Sequence, residues 1–271
     1  MIFLTGKKSD LLYSIIKLCE TRNIDCVYVE HEYHPDGEIF WKLPKERKKK
    51  VLLQLPYEMP NDGIVGALAL GRQLSFETIC MPYMPYSREK ALYDIFLQKI
   101  GKKMITCDFH EFFAGNVNNI SLAEIFSGCD FKEFISKKTF VLAPDEGARH
   151  RAALFARKLG LNTFTAIKKR RKNECIISLP EKIDDYKQCI IVDDMISSGQ
   201  TIWAAIKEIQ EMGISEIVVI VTHVLAESQT EVFYKIMENI KILFTTNIHN
   251  ILFKNKIKII DISSILINYL Q

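Results

Sequence analysis

Short apolar runs rich in β-branched residues alternate along this chain with longer segments whose apolar positions recur every three or four residues. The short runs are typical of buried parallel strands, and the longer segments are typical of amphipathic helices. The clearest strands are predicted at residues 1–4, 78–82, 139–143, 190–192 and 217–222, and the clearest helices at residues 9–21, 59–74, 149–158 and 262–270. This regular alternation predicts an α/β fold in which each sheet is mostly parallel and is flanked by helices.

The two halves of the chain show a similar rhythm of apolar and polar positions. The strand pair at residues 78–83 and 104–110 resembles the pair at residues 217–223 and 240–247. We therefore expect two similar α/β domains, residues 1–138 and residues 139–271. No segment rich in Gly, Ser or Pro marks the boundary, and the division leaves open whether the final helix packs back on the first domain.

A β-hairpin is predicted between residues 39–43 and residues 51–55, two apolar runs that flank a polar segment. The segment ends in a run of charged residues, Glu46-Arg47-Lys48-Lys49-Lys50. Such a run is typical of a solvated hairpin tip rather than of a partner site.

Two adjacent carboxylates, Asp193 and Asp194, follow the apolar run at residues 190–192. A small polar loop comes next and leads into a helix, and its residues are Ser197, Ser198, Gly199, Gln200 and Thr201. Backbone N–H groups and the helix dipole converge on one point in such an arrangement, which favours an anion. Carboxylates accept hydrogen bonds from sugar hydroxyls, so the stretch predicts a site for a ribose that carries a 5-phosphate. The alternative is an ordinary βα turn in which the carboxylates cap backbone groups.

Two further polar clusters end predicted strands, Asp108-Phe109-His110 and Pro144-Asp145-Glu146-Gly147. Open α/β sheets bind ligands at the carboxyl ends of their strands. Mg²⁺ takes few protein ligands and completes its shell with phosphate oxygens and water. His110 and Asp145 therefore predict a site for a divalent cation and a phosphate. The alternatives are a structural histidine and a plain helix N-cap.

Five consecutive cations, residues 168–172, lie between two apolar strands and shortly before the polar loop. Phosphoryl-type transfer needs cations that close over phosphate oxygens as charge develops, and this position favours that role over a solvated loop. Arg88, in a loop rich in Pro and Tyr, is a candidate for a phosphate contact or is a surface residue. Asp36-Gly37-Glu38 is by itself only a turn signal.

Composition excludes several other classes of protein. The net charge of +3 over 271 residues does not indicate a nucleic-acid partner, and no apolar stretch has the length of a transmembrane helix. The N-terminus carries no basic region ahead of its apolar run, so it does not predict a signal peptide. Seven cysteines without a Cys-x-x-Cys pair indicate reduced thiols and a cytoplasmic location.

Taken in order, these clusters resemble the phosphoribosyl pyrophosphate (PRPP) synthetase family, also called ribose-phosphate pyrophosphokinases. The resemblance extends over nearly the whole chain. The matching elements are Asp36-Gly37-Glu38, Pro82-Tyr83 with Tyr86-Ser87-Arg88, Asp108-Phe109-His110, Pro144-Asp145 with Gly147, Lys169-Arg170-Arg171, the stretch from Asp193 to Thr201, and Thr222-His223. Each motif is weak alone, and the ordered set is specific.

The resemblance implies two phosphoribosyltransferase-type domains and transfer of diphosphate from ATP to the C1 hydroxyl of ribose 5-phosphate. The products are PRPP and AMP, which serve nucleotide and NAD biosynthesis. Implied as ATP-binding residues are Asp36, Glu38, Arg88 and His110, the first two reaching the adenine of a neighbouring subunit. Implied as Mg²⁺ ligands are His110 and Asp145, and as catalytic cations Lys169 and Arg171. Implied as ribose-5-phosphate ligands are Asp193, Asp194, Ser197, Ser198, Gly199, Gln200 and Thr201.

A shared ATP site implies a homodimer or a larger homo-oligomer. Some residues depart from the family pattern: His34 replaces a Phe, residues 89–91 replace a Gln-Asp-Arg continuation, and Gln200 stands where a second Gly is usual. Two other functions therefore stay open. One is a phosphoribosyltransferase that transfers a base and shares only the stretch from Asp193 to Thr201, and the other is a regulatory homologue without turnover.

Overall fold

The computed structural model describes residues 2–45, 50–57, 59–110, 117–171, 174–179, 183, 185–225, 230–252 and 255–271. The chain divides into two compact units. Unit 1 comprises Met1–Ile120 and Asp261–Gln271, and unit 2 comprises Ser121–Ile260. The expected division of the chain after residue 138 stays a prediction about folding domains, whereas these units divide after Ile120.

Unit 1 contains eight strands in its described residues. They are β1 (Ile2–Thr5), β2 (Cys26–Tyr28), β3 (His31–Tyr33), β4 (Ile39–Trp41), β5 (Val51–Gln54), β6 (Thr78–Cys80), β7 (Lys103–Cys107) and β8 (Val117–Ile120). Six of them form a parallel sheet in the order β2-β1-β5-β6-β7-β8, and β3 pairs with β4 as an antiparallel ribbon. The helices are α1 (Asp10–Thr21), α2 (Pro60–Gln73), α3 (Lys90–Ile100) and, from the C-terminus, α8 (Ser263–Leu270). Arg22, one residue beyond the C-terminus of α1, joins this helix to α8. Its guanidinium donates a hydrogen bond of 2.7 Å to Asn268 Oδ1.

Unit 2 repeats this plan within its described residues. Its strands are β9 (Thr139–Ala143), β10 (Asn162–Thr165), β11 (Ile167–Arg171), β12 (Glu174–Ser178), β13 (Gln188–Ile196), β14 (Glu216–Val224), β15 (Ile242–Thr246) and β16 (Ile257–Ile260). The parallel sheet runs β10-β9-β13-β14-β15-β16, and β11 pairs with β12 as an antiparallel ribbon. The helices are α4 (Leu122–Ile125), α5 (Arg149–Leu159), α6 (Gln200–Glu211) and α7 (Glu231–Asn239), with short 3-10 turns at Lys132–Phe134 and Glu146–Ala148.

The two sheets have the same topology. In each described sheet the first strand lies between the second and the third, and the later strands follow outward in chain order. In each unit the antiparallel ribbon is inserted between the second and third sheet strands. The prediction of an α/β fold with two similar, mostly parallel domains is confirmed.

The predicted hairpin between residues 39–43 and 51–55 is wrong. The apolar run Val51–Gln54 is fully buried and pairs in parallel with β1 and with β6. Ile39–Trp41 pairs instead with His31–Tyr33, which precedes it. A continuous apolar run is the mark of a strand covered on both faces, and that signal outweighs the proximity of the two runs in sequence.

The core of unit 2 explains why the candidate site stands on a rigid base. Residues 189–192 of β13 are completely buried. Helix α6 contributes Ile202, Ile206 and Ile209, each at most 1% exposed, to the same cluster. A strand and a helix fixed in this way hold the loop between them to one position.

Candidate active site

The two adjacent carboxylates lie within β13, which continues beyond them to Ile196. Parallel pairing with β14 joins Asp193 to Val221 and extends to Ile196 and Val224. The prediction that the strand ends before the carboxylates is therefore wrong, because β14 is long enough to pair with the strand past them. Asp194 is 2% exposed, whereas Asp193 is partly exposed and accepts a hydrogen bond of 2.9 Å at Oδ1 from the Asp194 backbone N–H.

Arg151, near the start of α5, is the charged neighbour of this carboxylate pair. Its guanidinium nitrogen lies 3.9 Å from Asp194 Oδ2, and both side chains are almost fully buried. Burial, followed by the charge of Asp194, raises the pKa of Asp193 well above its usual value, and the Arg151 charge acts in the opposite direction. Sequence reasoning missed Arg151, since nothing local marks one arginine of the Arg149-His150-Arg151 run as the buried one.

Residues 197–201 form a loop that we call the phosphate cradle. Gly199 is the N-cap of α6 and has a φ of 78°, a left-handed conformation that L-residues rarely adopt. A Cβ on Gly199 would lie 3.0 Å from Val232 Cγ1 and 3.1 Å from Ile236 Cδ1. The backbone thus approaches α7 as closely as only a glycine permits, and the first turn of α6 opens directly onto the cradle.

Gln200 does not need to be a glycine. It is the first residue of α6 and its φ is not positive. The described non-glycine residues with a positive φ are Asn23, Tyr86, Asp108 and Lys256. Ser197, Ser198 and Gln200 are exposed, and Thr201 is partly exposed. The cradle therefore presents hydroxyl and backbone donors to solvent at a helix N-terminus, as an anion site requires.

Asp145 has two roles at once. Its Oδ1 accepts a hydrogen bond of 3.3 Å from the backbone N–H of Ala148, which makes it the N-cap of the 3-10 turn. Its Oδ2 accepts a hydrogen bond of 2.7 Å from Lys168 Nζ, and the same ammonium donates to Thr201 Oγ1 at 2.8 Å. Lys168 thereby joins the end of β9, the ribbon and the cradle, a connection that sequence reasoning missed.

The basic segment is strand up to Arg171 rather than loop. Lys169 pairs with Ile176 and Arg171 with Glu174 in the β11–β12 ribbon. The side chains of Lys169 and Arg171 lie outside the described part of the structure. Their backbone positions place both on the strand that also carries Lys168, whose side chain reaches the cradle.

Asp36 and Glu38 lie at the turn of the ribbon in unit 1. The His34 N–H donates to the Glu38 carbonyl at 2.8 Å, and the Glu38 N–H donates to Asp36 Oδ1 at 3.1 Å. Gly37 between them has a φ of 90°. Asp36 and Glu38 are both exposed. The turn signal is confirmed, and an ATP contact at these residues stays a prediction.

Arg88 and His110 follow two neighbouring strands of unit 1. Arg88 is exposed in the turn after β6, where Tyr86 has a φ of 62° and its hydroxyl contacts Asn61 Oδ1. His110 is partly buried beyond β7, and the chain turns there through Asp108, whose φ is 44°. His110 belongs to unit 1 and Asp145 to unit 2.

A second polar cluster lies at the carboxyl ends of β14 and β15. The rings of His223 and His249 are 5.5 Å apart, and Thr246 Oγ1 donates to the Thr222 carbonyl at 2.8 Å. Burial, followed by the charge of His223, lowers the pKa of His249. His223 was singled out from the sequence, whereas His249 was not, because it stands in an otherwise unremarkable polar segment.

Among the described residues no three His, Cys, Asp or Glu side chains converge as a metal site. The Asp145 carboxylate nevertheless holds a cation, the Lys168 ammonium. A carboxylate of this kind fits Mg²⁺ that is carried mainly by phosphate oxygens. Within the described part of the chain no helix has the length and apolar character needed to span a membrane.

The chain is similar in sequence and in fold to known proteins. The sequence model of the phosphoribosyl transferase domain family matches residues 115–254. The ribose-phosphate pyrophosphokinase of Pyrococcus abyssi is 32% identical over 78% of this chain and 81% of its own length. The enzyme of the same name from Pyrococcus furiosus is 30% identical over 80% of this chain and 85% of its own length. The crystal structure of phosphoribosylpyrophosphate synthetase from Mycobacterium smegmatis has the same fold, with a TM-score of 0.80 over 99% of this chain and 97% of its own, at 20% identity.

Proposed function

The chain belongs to the ribose-phosphate pyrophosphokinase family, and from that premise we propose that unit 2 binds ribose 5-phosphate, whose C1 hydroxyl receives diphosphate from ATP. The products are PRPP and AMP. The observation that carries the proposal is the phosphate cradle, in which a left-handed Gly199 opens the N-terminus of α6 directly after Asp193 and Asp194.

Ribose hydroxyls and phosphate are held by different residues. Asp193 is the partly exposed carboxylate and accepts hydrogen bonds from ribose hydroxyls. Asp194 stays buried beside Arg151 and positions that arginine. The hydroxyls of Ser197, Ser198 and Thr201 and the backbone N–H groups of Gly199 and Gln200 donate to the 5-phosphate. The substrate is thereby fixed with its C1 hydroxyl free to react, which supplies the positional part of the rate enhancement.

Lys169 and Arg171 are the proposed catalytic cations. Both lie on β11, the strand that also carries Lys168. Their positive charges stabilise the charge that develops on the transferred phosphoryl oxygens as the bond to the α-phosphate breaks. No protein nucleophile is required for this transfer.

ATP is assigned to Asp36, Glu38, Arg88 and His110 of unit 1, and Asp36 and Glu38 bind the adenine from a neighbouring subunit. The proposal therefore includes a homodimer or larger homo-oligomer. His110 in unit 1 and Asp145 in unit 2 are each proposed, within their own unit, as ligands for Mg²⁺, which would neutralise charge on the ATP oxygens when bound. The cytoplasmic location expected from the reduced thiols, and the absence of a nucleic-acid partner, belong to the same proposal.

The products distinguish this reaction from its alternatives. We expect AMP and PRPP in equal amounts from ATP, Mg²⁺ and ribose 5-phosphate, measured by anion-exchange chromatography. ADP in place of AMP would indicate a simple phosphoryl transfer and would refute the proposal. Absence of AMP together with consumption of PRPP by a purine or pyrimidine base would instead establish a phosphoribosyltransferase.

A further inference from the structure

The side chain of Lys168 lies between the two groups that the proposed reaction uses on unit 2. Its Nζ is 2.7 Å from Asp145 Oδ2 and 2.8 Å from Thr201 Oγ1. An ammonium group has three N–H donors, so these contacts leave one donor for a further acceptor. A phosphate that accepts a hydrogen bond from the Thr201 hydroxyl would therefore lie beside a positive charge.

The fold holds this ammonium in place. Lys168 pairs with Ile177 across the ribbon, and Ile177 is 3% exposed and belongs to the core of unit 2. The Lys168 and Asp145 side chains are only 17% and 25% exposed, so solvent screens their attraction less than it screens an ion pair on the open surface. The position of Lys168 is thus set before any substrate arrives.

In the absence of Mg²⁺, Asp145 makes this cation necessary. A carboxylate beside the phosphate cradle repels a phosphate, and the repulsion is cancelled only while a cation accompanies the carboxylate. Lys168 supplies that cation within the described part of unit 2. Removing Lys168 would both delete a donor and expose the phosphate to the Asp145 charge.

We propose that Lys168 is a ligand of the substrate's 5-phosphate and that it confers the preference for a phosphorylated sugar. The inference rests on the proposed function, because it takes residues 197–201 as the place where the phosphate binds. Lys168 is distinct in this role from Lys169 and Arg171, which act on the transferred diphosphoryl group.

The test is calorimetric titration with inorganic phosphate and with ribose 5-phosphate, without Mg²⁺, on the wild type and four variants. Lys168→Met keeps the length of the side chain and removes its charge, and we expect it to bind both probes about tenfold more weakly or worse, as loss of a charge-assisted hydrogen bond predicts. Lys168→Arg restores most of the affinity. Lys187→Met, at an exposed position of unit 2, binds like the wild type.

Asp145→Asn separates a ligand from a structural brace. If Lys168 binds phosphate, this variant binds inorganic phosphate at least as tightly as the wild type, because it loses a negative charge and releases the ammonium. If the ion pair only braces the ribbon, Asp145→Asn and Lys168→Met weaken binding by the same factor, and the inference is overturned. Unchanged phosphate affinity in Lys168→Met, or no phosphate binding by the wild type, also overturns it.

AMP formation by the wild type is measured in parallel to keep the two claims apart. Weaker phosphate binding in Lys168→Met without AMP formation by the wild type would refute the proposed reaction and leave the phosphate site standing. AMP formation by the wild type with unaltered phosphate binding in Lys168→Met would refute only the role of Lys168.

Discussion

Replacing Gly199 by Ala tests whether the cradle needs a glycine for two separate reasons. The left-handed φ of 78° costs an L-residue about 1–2 kcal/mol. The added Cβ would also lie 3.0 Å from Val232 Cγ1 and 3.1 Å from Ile236 Cδ1, and overpacking of this kind costs about 1–3 kcal/mol. The two contributions lower the free energy of unfolding by about 2–5 kcal/mol, or the Tm by about 6–15 °C at roughly 3 °C per kcal/mol.

Gly213→Ala is the matched control, because Gly213 has a φ of 80° and nothing lies within 4 Å of an added Cβ. It carries the conformational cost alone, so its Tm falls by only about 3–6 °C. Thermal unfolding followed by circular dichroism compares the two variants directly, and ribose-5-phosphate binding is lost in Gly199→Ala but kept in Gly213→Ala. Equal Tm values for the two variants would refute the close approach of α7 to the cradle.

Further predictions concern the carboxylate pair and the helix start. Arg151→Met removes the positive charge that lies 3.9 Å from the buried Asp194 carboxylate and lowers the free energy of unfolding by about 3–5 kcal/mol in urea titrations; a loss under about 1 kcal/mol would show that the pair is not coupled. Asp193→Asn removes a carboxyl whose folded-state pKa is raised by burial and by Asp194. The folded protein keeps that proton to higher pH than the unfolded chain, so this group's contribution to stability falls as the pH rises from about 4 through the raised pKa. Asp193→Asn therefore has a higher Tm than the wild type at neutral pH, and the difference disappears near pH 4; an advantage that does not depend on pH would contradict this. Gln200→Gly lowers stability by about 1 kcal/mol or less, since Gln200 has an ordinary helical start, and a gain in stability would reveal strain that the backbone does not show.

The elements with the strongest local signals could be predicted from the sequence. Residues 139–143 were expected as a strand and are β9, and the helix expected at 149–158 is α5. The strand is a continuous buried run and the helix has buried positions at helical spacing, and both patterns are visible in the residues themselves. The choice of partner is not visible in this way, which is why Val51–Gln54 was placed in a hairpin instead of between β1 and β6.

The candidate site was predictable in its motifs and not in its contacts. The order of Asp193, Asp194 and the polar loop predicts an anion site at a helix N-terminus; the helix N-terminus is confirmed, and anion binding stays a prediction. The lysine contact from β11 to Asp145 and Thr201 depends on how three segments distant in sequence pack together. Side-chain partners set by tertiary packing leave no pattern along the chain, and Lys168 therefore looked like any member of a basic run.

The most direct test of the proposed reaction is the rate of AMP formation from ATP, Mg²⁺ and ribose 5-phosphate in the wild type and in Lys169→Ala, with Lys187→Ala as the surface control. We expect the wild type and Lys187→Ala to turn over at the same rate. Lys169→Ala loses at least about 10²-fold in kcat, because it lacks a group that stabilises the charge of the transition state. Ribose-5-phosphate binding stays unchanged in Lys169→Ala. Undiminished AMP formation in Lys169→Ala would contradict the assignment of the basic strand, and a wild type that binds ribose 5-phosphate without forming AMP would contradict the reaction itself.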